Sequence, residues 1–160
     1  MSKIRTFVLI ACSVVFFGFA ERLKPKEISM TFTVKHISVS INRTPAQVYE
    51  FASNPENLPK WAVGLSGAIK KVDEDWISES PMGRVKIKFA EKNKFGVLDH
   101  DVTIPSGAKF YNPMRVVPNN DGSELVFTLF RRPEVSDQEF AQDARSVEKD
   151  LATLKTLLEK

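Results

Sequence analysis

Residues Ser136 to Leu158 read SDQEFAQDARSVEKDLATLKTLL, and the fold follows from how that stretch must be covered. Phe140, Ala144, Val147, Leu151, Leu154 and Leu158 recur at alternating steps of four and three, which sets them on one face of an α-helix. Ser136 with Glu139 three residues on forms a capping box, and Val135 is placed to pack on Phe140 as a hydrophobic staple. Pro133 separates the helix from what precedes it. At ~1.5 Å per residue such a helix is ~33 Å long, too long for a loop to cover its apolar stripe. A sheet or a bundle has to do so, and the chain upstream reads as strands.

Val34 to Ile41 alternates, with Ile37, Val39 and Ile41 on one face and His36, Ser38 and Ser40 on the other, the pattern of a half-buried strand. Thr44 then caps a helix that has Pro45 at its first position and Gln47 completing a second capping box. Val48, Phe51 and Ala52 form the inner face of that helix. Asn54-Pro55 stops it and opens a second short helix, Leu58 to Trp61. Strands are expected after it at 63–72, 76–80, 84–92, 96–104, 110–117 and 124–132. No connection between them is long enough for a parallel crossover. The class is α+β in the order β-α-α-β-β-β-β-β-β-α, a curved antiparallel sheet around the C-terminal helix.

The segment from Ile41 through Thr44-Pro45-Ala46-Gln47-Val48-Tyr49-Glu50-Phe51 resembles the first strand-to-helix turn of the START/Bet v 1-like (SRPBCC) superfamily, which includes polyketide cyclase and lipid-transport proteins. Asn54-Pro55-Glu56-Asn57-Leu58-Pro59-Lys60-Trp61 resembles its second helix. The resemblance covers Thr31 to Lys160 and implies a helix-grip fold with an apolar cavity between sheet and long helix. It says little about activity, because that superfamily holds carriers, cyclases, hydrolases and chaperone regulators.

Turn chemistry gives a register. Ile104-Pro105-Ser106-Gly107-Ala108 has Pro and Gly where a type I turn with a glycine bulge wants them. This pairs Val102 with Phe110, His100 with Asn112 and Leu98 with Met114. Ser80-Pro81-Met82-Gly83-Arg84 repeats the signature, pairing Glu79 with Val85 and Ile77 with Ile87. A tight turn at Asn93-Lys94 pairs Ile87 with His100 and Phe89 with Leu98. The inner wall then carries Ile77, Ile87, His100, Asn112 and Leu129 in one row and Glu79, Val85, Val102, Phe110 and Arg131 in the next, with Trp76 outside. A slip of one residue would turn a whole strand over.

His100, Asn112 and Glu79 are thus polar groups in an apolar wall, where each would cost roughly 1–3 kcal/mol if left unpaired. They are expected to bond one another, water or a ligand. The expected ligand-facing set is His100, Asn112 and Glu79, with Trp61, Ile87, Val102, Phe110, Met114 and Leu151 around them. That set fits binding of a small hydrophobic or amphipathic molecule: a lipid, a polyketide or an aromatic. Two alternatives are a cyclase or dehydratase that uses His100 for proton transfer, and an interaction protein whose core is filled. No Ser-His-Asp order, glycine-rich phosphate loop or HExxH occurs. With His36 and His100 the only histidines, and His36 facing outward, neither a metal nor a cofactor is expected.

The formal charge of +3 and the pI near 9.0 suggest nucleic acid until the charges are located. Lys3, Arg5, Arg22, Lys24 and Lys26, with Glu21 and Glu27, all precede Met30. Taking those five from 23 basic residues and those two from 20 acidic ones leaves 18 of each from Met30 onward. A neutral domain has no basic footprint for nucleic acid. The only cysteine, Cys12, is in the same leader, so the domain has no disulfide. Within residues 1–29, Lys3 and Arg5 precede the apolar run Thr6 to Ala20, with Gly18 and Ala20 at a cleavage-site position before Glu21. This predicts a secretory signal, or a membrane anchor if uncleaved, ahead of a domain spanning 30–160. The rival expectation is a cytoplasmic protein starting at Met30, since Lys26-Glu27 require purine-only codons where a ribosome-binding sequence would fall. Oligomeric state is not legible.

Overall fold

The structure, a computed structural model, describes residues 30–65, 67–80 and 83–160. The expected signal or anchor, with Cys12, lies outside the described residues. Among those described, the chain forms β1 (Thr33–Ile41), α1 (Pro45–Ala52), α2 (Leu58–Trp61), β2 (Ile69–Val72), β3 (Asp75–Ser80), β4 (Gly83–Phe89), β5 (His100–Thr103), β6 (Lys109–Asn112), β7 (Met114–Asn119), β8 (Gly122–Arg131) and α3 (Asp137–Leu158). Both capping boxes form. Thr44 accepts from the Gln47 amide and Ser136 from the Glu139 amide, each with the reciprocal side-chain bond. Residues 63–65, expected as the start of a strand, form a 3-10 turn instead, so that strand shortens to β2.

Pairing is antiparallel throughout, in the orders β1-β8-β7 and β2-β3-β4-β5-β6. The two groups are joined where residues 96–98 run beside β7. Leu98 N–H donates to the Met114 carbonyl at 2.9 Å, Val116 N–H donates to the Gly96 carbonyl at 2.9 Å, and Val97 bridges Arg115. This continues the His100–Asn112 and Val102–Phe110 pairing in the same register. The expected strand 110–117 is broken at Pro113, which has no N–H for the ladder. Beyond it Met114 N–H turns to the Asp99 carboxylate at 2.9 Å. Asp99 also accepts the Tyr111 hydroxyl at 2.6 Å and pairs with Arg115, so one carboxylate fastens the bend.

Two registers differ from the sequence reading. Ser80 pairs with Gly83, so the β3–β4 loop holds two residues rather than three. That slip of one turns β3 over: Trp76 and Ser78 lie opposite Ile87 and Val85, while Ile77 and Glu79 lie opposite Lys86 and Arg84. The β4–β5 connection is no tight turn. The Asn93 side chain accepts from the Phe95 and Val97 amides and donates to the Glu91 and Val97 carbonyls, and its own N–H reaches the Tyr49 hydroxyl at 2.8 Å. The longer loop moves the pairing by two residues, to Phe89–His100 and Ile87–Val102. An even shift leaves the faces unchanged.

The core lies between the curved sheet and the helices. Ile41, Val48, Ile87, Leu98, Leu125 and Leu154 are fully buried in it. The long helix α3 packs on β1, β8 and α2. Its C-terminal half is tied down by Lys155 donating to the Ser40 carbonyl at 2.6 Å and Glu159 accepting the Asn42 amide at 2.7 Å. Its three most buried residues, Ala144, Leu151 and Leu154, all belong to the stripe read from the sequence. The result is a helix-grip fold.

Candidate functional site

The grip does not close completely. A cavity of about 390 Å³ remains between the sheet and the middle of α3, in the size range of small-molecule sites. Val102, Ile104 and Phe110 form one wall and Phe127 and Leu129 of β8 the next. Leu58, Trp61, Ala62 and Leu65 close one side from α2 and its following turn, and Val147 and Leu151 come from α3. Further along α3, Leu154 is fully buried and does not line the cavity. Two other hollows have a different character. One at the β7–β8 turn is lined by Ser40, Asn42, Asn119 and Ser123, and one on the outer face by Asp75, Lys86, Lys88 and Asp101. Neither offers an apolar wall.

His100 and Asn112 are cross-strand partners that both line the cavity. They do not bond each other. His100 Nδ1 lies 3.1 Å from the Leu98 carbonyl oxygen, an atom that only accepts, so Nδ1 carries the proton. Burial holds the imidazole below its ordinary value of 6.5, outweighing the Leu98 bond and the Asp101 charge, which raise it. The ring is therefore neutral at pH 7, and its Nε2 is a bare acceptor. Phe89 stacks on it with centroids 5.0 Å apart, and Phe127 lies at 6.3 Å, which fixes the plane in which that lone pair points. Neither Nε2 nor the Asn112 carboxamide has a hydrogen-bond partner among the described residues. Trp61, only 5 % exposed, keeps its indole N–H unpartnered as well.

Six of the nine expected residues surround this cavity: His100, Asn112, Trp61, Val102, Phe110 and Leu151. Three do not. Glu79 is exposed on the outer face, because the two-residue loop at Ser80–Gly83 turned β3 over. Ile87 is fully buried, since the two-residue shift sets it opposite Val102 in the packed row Trp76–Ile87–Val102. Met114 follows the bend at Pro113 to pair with Phe127 and sinks into the core.

The sequence reading missed Asp143, Ser146 and Asp150, which line the cavity from α3. Their signal is present: steps of three and four, parallel to Val147 and Leu151. Asp150 is half-buried and accepts the Val63 N–H at 3.0 Å, tying the turn after α2 to α3. Burial raises its carboxyl above 3.8 against the lowering effects of that bond and of Lys149. Asp143 is raised by burial and by Glu139 beside it.

The sequence model of the family described as "Polyketide cyclase / dehydrase and lipid transport" matches residues 31–159. No curated protein matches the chain significantly. Among solved structures, an uncharacterized protein from Bacillus thuringiensis superposes with a TM-score of 0.65 at 16% identity, covering 80% of this chain and 100% of the other. XoxI from Bacillus cereus gives 0.62 at 18% identity, covering 81% and 96%. The Aha1 dimer from Colwellia psychrerythraea gives 0.63 at 16% identity, covering 79% and 96%. At these identities the likeness is one of fold.

Proposed function

The chain belongs to the polyketide cyclase/dehydrase and lipid transport family, and from that membership we propose that it binds a small apolar or aromatic molecule with one polar end. The body of the ligand occupies the cavity between the sheet and α3, and His100 with Asn112 reads its polar end. One observation carries this reading: an apolar-walled cavity of about 390 Å³ holds two facing polar side chains with unused hydrogen-bonding atoms. Because Nδ1 of His100 is committed to Leu98, the group it reads is a donor, a hydroxyl or an N–H. The Asn112 carboxamide is free to donate or accept beside it.

A ligand donor on Nε2 is worth ~0.5–1.5 kcal/mol, a factor of about 2 to 12 in affinity, with apolar burial supplying the rest. The test is titration of the full chain with 1-naphthol and with naphthalene. In His100→Phe, naphthol binding should weaken by that factor while naphthalene binding holds. Glu79→Gln, on the outer face, should change neither. If His100→Phe binds both probes as the unaltered chain does, the pair is structural and the reading fails.

A further inference from the structure

The polar groups around the cavity are unbalanced in charge. Asp143 and Asp150 both line it, and no Lys or Arg does so among the described residues. Asp143 is exposed, so it stands at the rim where cavity meets solvent, and it forms no ion pair or hydrogen bond among the described residues. Asp150 has one partner, the Val63 amide. Of the charges nearby, Glu139 adds to the negative side and Lys149, next to Asp150, offsets part of it; Arg132, 4.9 Å from the Phe110 ring centroid, is paired with Glu134, and Arg131 with Asp137. Lys60 of α2 is engaged with Asn57 at 2.6 Å. The inner wall adds acceptors rather than cations, namely His100 Nε2 and the Asn112 carboxamide oxygen. Trp61, on the α2 side of the cavity, is nearly fully buried, and its N–H has no partner among the described residues.

We propose that the cavity selects by charge, taking cationic amphipaths (an apolar or aromatic body that carries an amine) in preference to anionic lipids. The inference rests on the cavity being the ligand site and adds the class of ligand. An ammonium group in the cavity is attracted by the two carboxylates, and His100 Nε2 and the Asn112 carboxamide oxygen on the same lining are acceptors for it. A carboxylate or phosphate at the same place meets two like charges and no cation of the lining, the nearby Arg131 and Arg132 being paired with Asp137 and Glu134. Partly exposed ion pairs are individually weak, but attraction of one head group and repulsion of the other add in the comparison.

Three probes with one body separate charge from burial: 1-naphthylmethylamine, 1-naphthylmethanol and 1-naphthoate, titrated calorimetrically into the full chain at pH 7. The amine should bind about tenfold more tightly than the carboxylate at low salt, with the alcohol between. At 1 M NaCl, where screening acts within ~3 Å, the three should converge with the alcohol unmoved. Asp143→Asn, an exposed change that leaves the Asp150–Val63 bond intact, should narrow the gap, and Asp143→Asn/Asp150→Asn should nearly close it. A carboxylate that binds as well as the amine while the alcohol also binds overturns charge selection and leaves the cavity reading standing. Failure of all three probes to bind removes the cavity reading and this inference with it.

Discussion

Three glycine-to-alanine substitutions separate what backbone conformation costs from what close approach costs, and one of them tests the junction that joins the two strand groups. Gly96 has φ of +70° and passes so close to β7 that an added Cβ would overlap the Val116 carbonyl oxygen. Gly107, the bulge residue of the β5–β6 turn, has φ of +85° but open space around its Cβ position. Gly64 has open space and no positive φ. A non-glycine residue in the left-handed region costs ~1–2 kcal/mol, and that is the whole expected effect of Gly107→Ala. For Gly96→Ala the strand must also move off β7. That weakens the Val116–Gly96 and Leu98–Met114 bonds, at ~0.5–1.5 kcal/mol each, and brings the loss to ~2–5 kcal/mol. Gly64→Ala should be neutral or stabilising by up to ~1 kcal/mol through the unfolded chain. Urea unfolding with an unchanged m-value measures all three. If Gly96→Ala costs no more than Gly107→Ala, the close approach of residues 96–98 to β7 is wrong, and with it the joining of the two strand groups.

Leu154→Ala removes a fully buried side chain of α3 that does not border the cavity; denaturant unfolding should show a loss of ~2–5 kcal/mol, and a loss below ~0.5 kcal/mol would mean the helix is not gripped there. The buried His100 gives stability a pH dependence of defined sign. Well above 6.5 the ring is neutral in both states and contributes no slope; as pH falls through 6.5 the unfolded chain takes up the proton first, so stability drops until the lower folded-state value is passed. His100→Phe should flatten that limb in unfolding curves taken from pH 7.5 downward. Asp143 and Asp150, raised by burial, act oppositely at lower pH, adding stability as pH falls through their folded values toward 3.8.

What the sequence made legible was local. The two capping boxes need only residues three apart, and the Pro105–Gly107 turn carries its own register, so β5 and β6 paired as read and His100 met Asn112. The Pro81-Met82-Gly83 stretch was ambiguous in kind. The same residue types suit a two- or three-residue loop, and the choice between them decided whether Glu79 or Ser78 faced inward. The loop built on Asn93 was not legible because it depends on Tyr49, 44 residues earlier in the chain. The aspartates of α3 are not legible as cavity residues, because a sequence divides a helix only into apolar stripe and solvated side. Asp143 and Asp150 belong to the margin between them. That margin becomes the cavity rim only once the spacing between helix and sheet is set by long-range packing.

The most direct test of a cavity that binds an apolar body with a polar donor is where a probe sits. Intermolecular nuclear Overhauser effects from 1-naphthol to methyl groups of the full chain should run to Val102, Ile104, Leu129 and Val147, which line the cavity. Contacts to the exposed Val34 and Val117 instead, or the absence of saturable binding, would contradict the account.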